Sequence, residues 1–187
     1  MKTALTMAGA VILTTTNPAL ADVVINLAIT ETEVLTAQKA WCQALIDISS
    51  THAQSGQSTA KALAEEVIDT AYGYQMGAVL FKPTLTTNPQ TFRLTREGAL
   101  SYFVGGDSNY PDDDGFALQP WMQCEVENAG ILITGNSAST MGKVHFTDKD
   151  DQVTTVDKTW KFVKDDTGQL RIVLHHSSLE YIGDEQI

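Results

Sequence analysis

Basic residues are scarce in this chain of 187 residues, where 12 lysines and arginines stand against 23 aspartates and glutamates, giving a net charge of −11. Binding to a phosphate backbone needs a positive surface, so nucleic acid is not expected as a partner. Beyond the N-terminal segment no apolar run is long enough to span a bilayer, and no membrane partner is expected. The sequence also lacks G-x-S-x-G, H-E-x-x-H and a glycine-rich phosphate loop.

Cysteine is almost absent as well, with Cys42 and Cys124 the two in the chain. No C-x-x-C motif is present, which removes support for a thioredoxin-like or zinc-ribbon site. In an exported protein the two cysteines could form a disulfide, or they could be two buried thiols that act as small hydrophobes. The sequence alone leaves both interpretations open.

The first residues are typical of a secretory signal peptide. Lys2 is followed by a mostly apolar run over 4–13 and by Ala19-Leu20-Ala21, an A-x-A cleavage pattern. We therefore expect cleavage after Ala21 and a periplasmic or secreted protein. The remaining residues, 22–187, have the length of one domain.

The first half of the mature chain has helical periodicity. Thr30 and Glu33 have capping-box spacing before a first amphipathic helix, Gly56 ends that helix, and a second one follows over 60–71. Residues 78–81 are typical of a short strand that Pro83 ends. A third, short helix is expected after Thr95.

The second half is rich in β-forming residues. Long antiparallel strands are expected over 121–127, 131–146, 153–163 and 170–178, with turns between them at 128–130, 148–151 and 165–168. Helices followed by a meander of strands indicate an α+β fold, with a curved sheet wrapped around the N-terminal helices and a pocket on its concave face.

The most informative stretch is the end of the last strand, where two histidines and two serines are consecutive. Because alternate side chains of a strand share a face, His175 and Ser177 point one way and His176 and Ser178 the other. Adjacent histidines that diverge are poor ligands for one ion, and a catalytic zinc site needs three converging ligands. We therefore expect no catalytic metal and no other cofactor.

Two further segments carry candidate residues. Val156, Lys158, Trp160 and Phe162 share one face of the preceding strand, with Trp160 and Phe162 expected in the core or in a pocket wall. The run 112–115 (Asp-Asp-Asp-Gly) lacks the terminal glutamate of a calcium loop, and a solvated acidic turn is the expected structure.

The segments 153–160 and 171–178 together resemble the association-domain-like branch of the NTF2-like superfamily, and the paired histidines and serines resemble the iota-class carbonic anhydrases, in particular the metal-independent subgroup. Further matching segments are 81–84, 98–103 and 133–138. The resemblance covers nearly all of the mature chain.

This resemblance implies an NTF2-like (cystatin-like) cone and reversible hydration of CO2 to bicarbonate. It implies Thr84, Tyr102, His175 and Ser177 as catalytic residues, with no metal or cofactor. Thr84, Tyr102 and Ser177 would also contact CO2 or bicarbonate, together with the apolar side chains of Trp160 and Phe162. A homodimer is expected by analogy with related domains.

Two other functions fit the same fold. One is a non-catalytic module that binds a small carboxylate or mediates oligomerisation. The other is an isomerase with a buried aspartate as the base. Asp157 is the acidic residue nearest an apolar strand face, but it alternates with Thr155 and Thr159 and so points away from Trp160.

Overall fold

The computed structural model describes residues 26–181 and Gly183, so the predicted signal peptide lies outside the described residues. The elements in chain order are α1 (Glu31–Ser55), α2 (Gln57–Ala71), β1 (Leu80–Lys82), α3 (Arg96–Val104), β2 (Trp121–Thr134), β3 (Ser137–Asp148), β4 (Val153–Lys164) and β5 (Leu170–Leu179). Short 3₁₀ turns occupy Tyr74–Met76 and Phe116–Leu118. Within the described residues, no helix combines the length and hydrophobicity needed to cross a membrane.

Helix α1 begins with the predicted capping box. The Thr30 hydroxyl accepts a hydrogen bond from the Glu33 amide at 3.3 Å, and the Glu33 carboxylate accepts one from the Thr30 amide at 2.8 Å. These bonds satisfy two amides that would otherwise have no partner at the helix start. The helix then buries one apolar stripe, which includes Trp41 and Leu45, against the sheet.

The sheet has the order β1-β5-β4-β3-β2, and its last four strands form an antiparallel meander. The short strand β1 lies parallel to β5 at the edge, with Phe81 opposite His175. This pairing brings the residues after β1, Pro83 and Thr84, beside the end of β5. The α+β cone expected from the sequence is confirmed.

Three predicted boundaries are wrong. Residues 128–130 do not form a turn but continue β2 through a bulge, and the chain reverses at Gly135 and Asn136 instead. Asn128 is held in the sheet because its side-chain amide exchanges two hydrogen bonds with Gln38 of α1, at 2.8 and 2.9 Å. Gly135 supplies the positive φ of 59° that the tight turn requires.

The second wrong boundary is at β1, which begins at Leu80, two residues after the predicted start. The third is the start of α2, which begins at Gln57, three residues before the predicted start, whereas α3 and the loop at Asp165–Gly168 lie where the sequence placed them. Thr95 caps α3 by accepting from the Gly98 amide at 3.2 Å.

A disulfide joins Cys42 of α1 to Cys124 of β2, which resolves the alternative that the sequence left open. The bridge links residues 82 positions apart and ties the long helix to the far edge of the sheet. Such a long closed loop lowers the entropy of the unfolded chain and so stabilises the fold.

Candidate active site

The alternation predicted for β5 is confirmed. His175 and Ser177 are each only 1% exposed and face the concave side, whereas His176 faces outward. A bulge between β4 and β5 near Val173 precedes this segment and resets the alternation, so that Ile172 and His175 both point inward. The two candidate residues of β5 therefore enter the interior side by side.

Three hydroxyl groups meet at the end of β5, and we call Thr84, Tyr102 and Ser177 the hydroxyl cluster. The Thr84 and Ser177 oxygens are 2.5 Å apart, and the Tyr102 phenol is hydrogen-bonded to Thr84. Burial raises the pKa of Tyr102 to about 12, partly offset by bonds to the Leu85 and Thr84 backbone and to the Thr84 hydroxyl. Near neutral pH the phenol is therefore an uncharged hydrogen-bond donor.

A pocket of about 320 Å³ opens beside this cluster. Thr84 and Tyr102 line it, with apolar walls from Leu85, Phe116 and Trp121. Since one water occupies about 30 Å³ of liquid volume, the pocket has room for a three-atom substrate together with several waters.

The acidic run Asp112–Asp114 lines the same pocket, and the prediction of a merely solvated turn is wrong for its middle residue. The Asp113 carboxylate accepts a hydrogen bond from Arg93 at 2.7 Å, and both side chains are only 3% exposed. The Arg93 guanidinium also lies over the Tyr110 ring at 4.5 Å. This ion pair fixes the acidic segment against α3 and so shapes the pocket wall.

Behind the hydroxyl cluster lies a second polar group, which we call the buried chain: Trp41, Tyr72, His175 and Lys158. The Trp41 indole donates to the Tyr72 oxygen at 3.0 Å, and that oxygen is 2.8 Å from His175 Nδ1. His175 Nε2 is 2.9 Å from Lys158 Nζ. Both ring nitrogens of His175 are therefore occupied by protein partners.

Burial determines the protonation states of the side chains in the buried chain. Desolvation, with a smaller contribution from Lys158, holds the pKa of His175 well below 6.5, so the imidazole is neutral near pH 7. Desolvation alone lowers the pKa of Lys158 to about 7. Desolvation raises the pKa of Tyr72 well above 10, and its phenol stays protonated.

Trp160 and Phe162 lie on the concave face as predicted, each 1% exposed, but neither lines the pocket. The Trp160 ring packs against Trp41 and His175, at centroid distances of 5.5 and 5.8 Å. Phe162 lies further along β4, against Trp160 at 6.2 Å. In this structure both are walls of the core behind the buried chain.

The structure adds two residues for which the sequence gave no functional role. Lys158 occupies an apolar strand face between Val156 and Trp160, and a charged residue at a buried position is a signal that the alternation already contained. Tyr72 gave no such signal, because it follows α2 and is 103 residues from His175. Within residues 26–181 and Gly183, no group of three or more His, Cys, Asp or Glu side chains is arranged to hold a metal ion.

Comparison with known proteins shows the family of the chain. Residues 32–179 match the family described as metal-independent carbonic anhydrase. The chain belongs to this family. A metal-independent carbonic anhydrase of Nostoc sp. is 63% identical over 158 residues, which are 84% of this chain and 77% of the relative.

Solved structures agree with this assignment. The iota-carbonic anhydrase of a cyanobacterium, solved with bicarbonate, is 62% identical and superposes with a TM-score of 0.84 over 87% of this chain and 99% of its own. A putative calcium/calmodulin-dependent protein kinase II association domain of Xanthomonas campestris shares the fold at 22% identity, with a TM-score of 0.54 over 80% of this chain and 87% of its own. The protein is thus a carbonic anhydrase of the iota class on an NTF2-like fold.

Proposed function

We propose that the pocket beside the hydroxyl cluster is where CO2 is hydrated to bicarbonate. The observation that carries the proposal is that Thr84 and Tyr102 line that pocket and that the Ser177 hydroxyl is hydrogen-bonded to Thr84 behind its edge. Neutral hydroxyls both donate and accept, so they can hold a water and the oxygens of the nascent bicarbonate in turn. The bicarbonate complex of the cyanobacterial relative supports an anion-binding role for this fold.

The apolar wall of the pocket would hold CO2, which is uncharged and weakly solvated. Phe116 and Trp121 line the pocket and are nearly buried, whereas Trp160 and Phe162 lie behind it. The geometry therefore favours Phe116 and Trp121 over the two aromatic residues expected from the sequence. Holding CO2 and water in contact lowers the barrier by removing the entropic cost of their encounter.

In the chemical step the water oxygen forms a bond to carbon, one C=O π bond breaks towards its oxygen, and the water loses a proton. His175 has no free nitrogen to accept that proton directly, since Tyr72 and Lys158 occupy both. The proton instead passes through the hydroxyls of Thr84 and Tyr102, which line the pocket, to a solvent water at the pocket mouth, while Ser177 holds the Thr84 hydroxyl in place. Hydrogen bonds from the same groups stabilise the charge that develops on the CO2 oxygens.

This mechanism predicts slower turnover than in zinc carbonic anhydrases. Zinc lowers the pKa of its bound water to about 7. A site built from neutral hydroxyls must obtain most of its acceleration from positioning and electrostatic stabilisation.

Stopped-flow CO2 hydration before and after exhaustive chelation, with metal content assayed in the same samples, tests the proposal. Undiminished activity in metal-free protein supports the hydroxyl cluster as the catalytic site. Activity that is lost on chelation and restored by one ion overturns the site but keeps the reaction. A folded protein without hydration activity in either sample overturns the function and favours a carboxylate-binding module, which a ligand-dependent rise in Tm would then detect.

We also propose that the enzyme acts outside the cytoplasm after cleavage behind Ala21. The signal-peptide pattern supports this localisation, and so does the Cys42–Cys124 disulfide, because disulfides persist in oxidising compartments. Cell fractionation with N-terminal sequencing of the mature protein tests it. A cytoplasmic protein that begins at Met1 would contradict it.

A homodimer formed through the outer face of the sheet completes the proposal. Leu132 of β2 and Met141 of β3 are each more than 60% exposed there, and a second copy could cover these apolar side chains. Light scattering coupled to size exclusion should give twice the monomer mass, and Met141→Glu should restore the monomer. A monomeric wild-type protein would disprove it.

A further inference from the structure

The buried chain contains a lysine with no carboxylate partner. Lys158 is 5% exposed, and among the described residues no acidic group forms an ion pair with it. Its Nζ lies over the rings of Trp41, Trp160 and Phe146, at 4.8, 5.5 and 5.9 Å. Burying an ammonium without a counter-ion is costly, so this environment disfavours the charged form.

Each hydrogen-bond donor in the buried chain needs an acceptor, and this requirement decides whether Lys158 is an ammonium or a neutral amine. The Trp41 indole nitrogen can only donate, so the Tyr72 oxygen accepts from it. Tyr72 is fully buried, and the partner left for its own O–H among the described residues is His175 Nδ1 at 2.8 Å. His175 Nδ1 must therefore accept, and the proton of the neutral imidazole is on Nε2.

The Nε2–H of His175 then donates to Lys158 Nζ at 2.9 Å, and a nitrogen that accepts must have a free lone pair. The alternative, in which a Lys158 ammonium donates to Nε2, moves the ring proton to Nδ1. That proton would face the Tyr72 O–H, and one buried donor would have no acceptor. The arrangement that gives the donors of Trp41, Tyr72 and His175 an acceptor each requires a neutral amine, whose own N–H groups face the surrounding aromatic rings.

We propose that Lys158 is a neutral amine in the active enzyme and a positioning residue for CO2 hydration, because it accepts the Nε2–H of His175 and holds that ring in one tautomer behind the hydroxyl cluster. Its effect reaches the cluster through two contacts. The His175 ring stacks on Phe81 at 4.4 Å, three residues before Thr84. Ser177 shares the face of β5 with His175 and is the cross-strand partner of Lys158.

Protonation of Lys158 should therefore impair the enzyme. An ammonium cannot accept from Nε2–H, so the ring must change tautomer against the Tyr72 hydroxyl. The titratable groups that face Lys158 from the interior are His175 and, through it, Tyr72, while α1 and β3 contribute the apolar rings of Trp41 and Phe146.

His176 and Asp157 are the titratable neighbours on the outer face and point away from Lys158. Burial lowers the pKa of Lys158 to about 7, so the amine is neutral above that pH and the activity is expected to fall below it. Because His175 titrates well below 6.5, its own protonation would give a separate loss at lower pH.

The experiment compares wild type, Lys158→Gln, Lys158→Met and the exposed control Lys161→Met on the same strand. Glutamine offers an acceptor oxygen but does not titrate, and methionine keeps the length without an acceptor. We expect Lys158→Met to lower kcat/KM by about 10–100-fold, as loss of the partner of a functional histidine does at metal sites. Lys158→Gln should recover much of that loss and move the acid limb of the pH profile well below 7.

The ¹⁵N resonances of the His175 ring give a readout that does not depend on activity. In wild type Nδ1 should be unprotonated and Nε2 protonated, with a change of tautomer as the pH falls through 7 that is absent in Lys158→Gln. A proton on Nδ1 at pH 8, or an unchanged acid limb in Lys158→Gln, would overturn the proposal, which rests on the proposed function for its kinetic part only. If wild type proves inactive, the proposed function fails and the tautomer measurement still decides the state of Lys158.

Discussion

His175 and Ser177 are two residues apart on one face of one strand and equally buried, yet they belong to different regions. Ser177 is in the hydroxyl cluster, whose members Thr84 and Tyr102 line the pocket. His175 is in the buried chain, where protein groups occupy both of its nitrogens. Groups beside a pocket can exchange hydrogen-bond partners with a substrate, whereas enclosed groups keep theirs. Burial alone therefore does not identify the residue that meets the substrate.

The two tyrosines repeat this contrast. Tyr102 lies at the pocket edge, and Tyr72 is enclosed between Trp41 and His175. Removing the phenol oxygen should therefore mainly lower activity at Tyr102 and mainly lower stability at Tyr72. At the pocket edge water can replace a lost partner, but in the interior the remaining donors have none.

The largest expected effect is a loss of folding stability when the ion pair in the pocket wall is broken. Arg93→Met removes one partner of the buried pair with Asp113 and leaves an uncompensated carboxylate, which should lower the free energy of unfolding by about 3–5 kcal/mol. Urea denaturation at neutral pH measures this. Arg96→Met is the matched control, because its pair with Asp69 is exposed and worth about 0–1 kcal/mol. Equal losses in both variants would show that the Asp113 pair is not buried in solution.

Ser177→Ala should separate activity from stability within the hydroxyl cluster. Loss of one hydrogen-bond donor to a developing oxyanion lowers kcat by about 10²–10³-fold in well-studied enzymes. We expect a loss of that size, with little change in Tm, because the pocket admits water to Thr84. Ser178→Ala on the opposite face is the control and should keep its activity. Wild-type rates in Ser177→Ala, with an unchanged circular dichroism spectrum, would remove Ser177 from the mechanism.

The paired variants Tyr72→Phe and Tyr102→Phe test the contrast directly. Tyr72→Phe leaves the Trp41 N–H without an acceptor and should cost about 1–3 kcal/mol of stability. Tyr102→Phe should cost less stability but should lower CO2 hydration, since the phenol can no longer donate in the pocket. Thermal unfolding and stopped-flow rates on both proteins decide the matter. If Tyr102→Phe loses more stability than Tyr72→Phe, the assignment of the two tyrosines to the two regions is wrong.

The sequence predicted those features that depend on local periodicity. The capping box of α1, the Thr95 cap and the alternation of His175 and Ser177 were all confirmed, because each is set by neighbours within four residues. The same alternation put Lys158 on the strand face of Trp160 and Phe162, which the structure buries, although it did not indicate what the lysine contacts.

Features that depend on distant segments could not be predicted in this way. Asn128 stays in a strand because Gln38, 90 residues earlier, bonds its amide, so a turn-forming composition was misleading. Tyr72 reaches His175 only because α2 ends beside the sheet. The pocket wall likewise depends on Arg93, which meets Asp113 across an irregular loop.

Measured per pH unit, the smallest predicted effect concerns the charge of the buried chain. The folded-state pKa of Lys158, about 7, lies below the unfolded value of about 10.4, so between these values the unfolded chain binds more protons than the folded one. Stability should therefore rise with pH in that window, by up to about 1.4 kcal/mol per pH unit from this residue, and the gain should disappear below pH 7. Urea titrations of wild type and Lys158→Gln measure the difference in slope, with Lys161→Met as the control for removing a lysine. Identical slopes in wild type and Lys158→Gln would mean that Lys158 keeps its charge in the fold, and the buried chain would then be a cation held by aromatic rings.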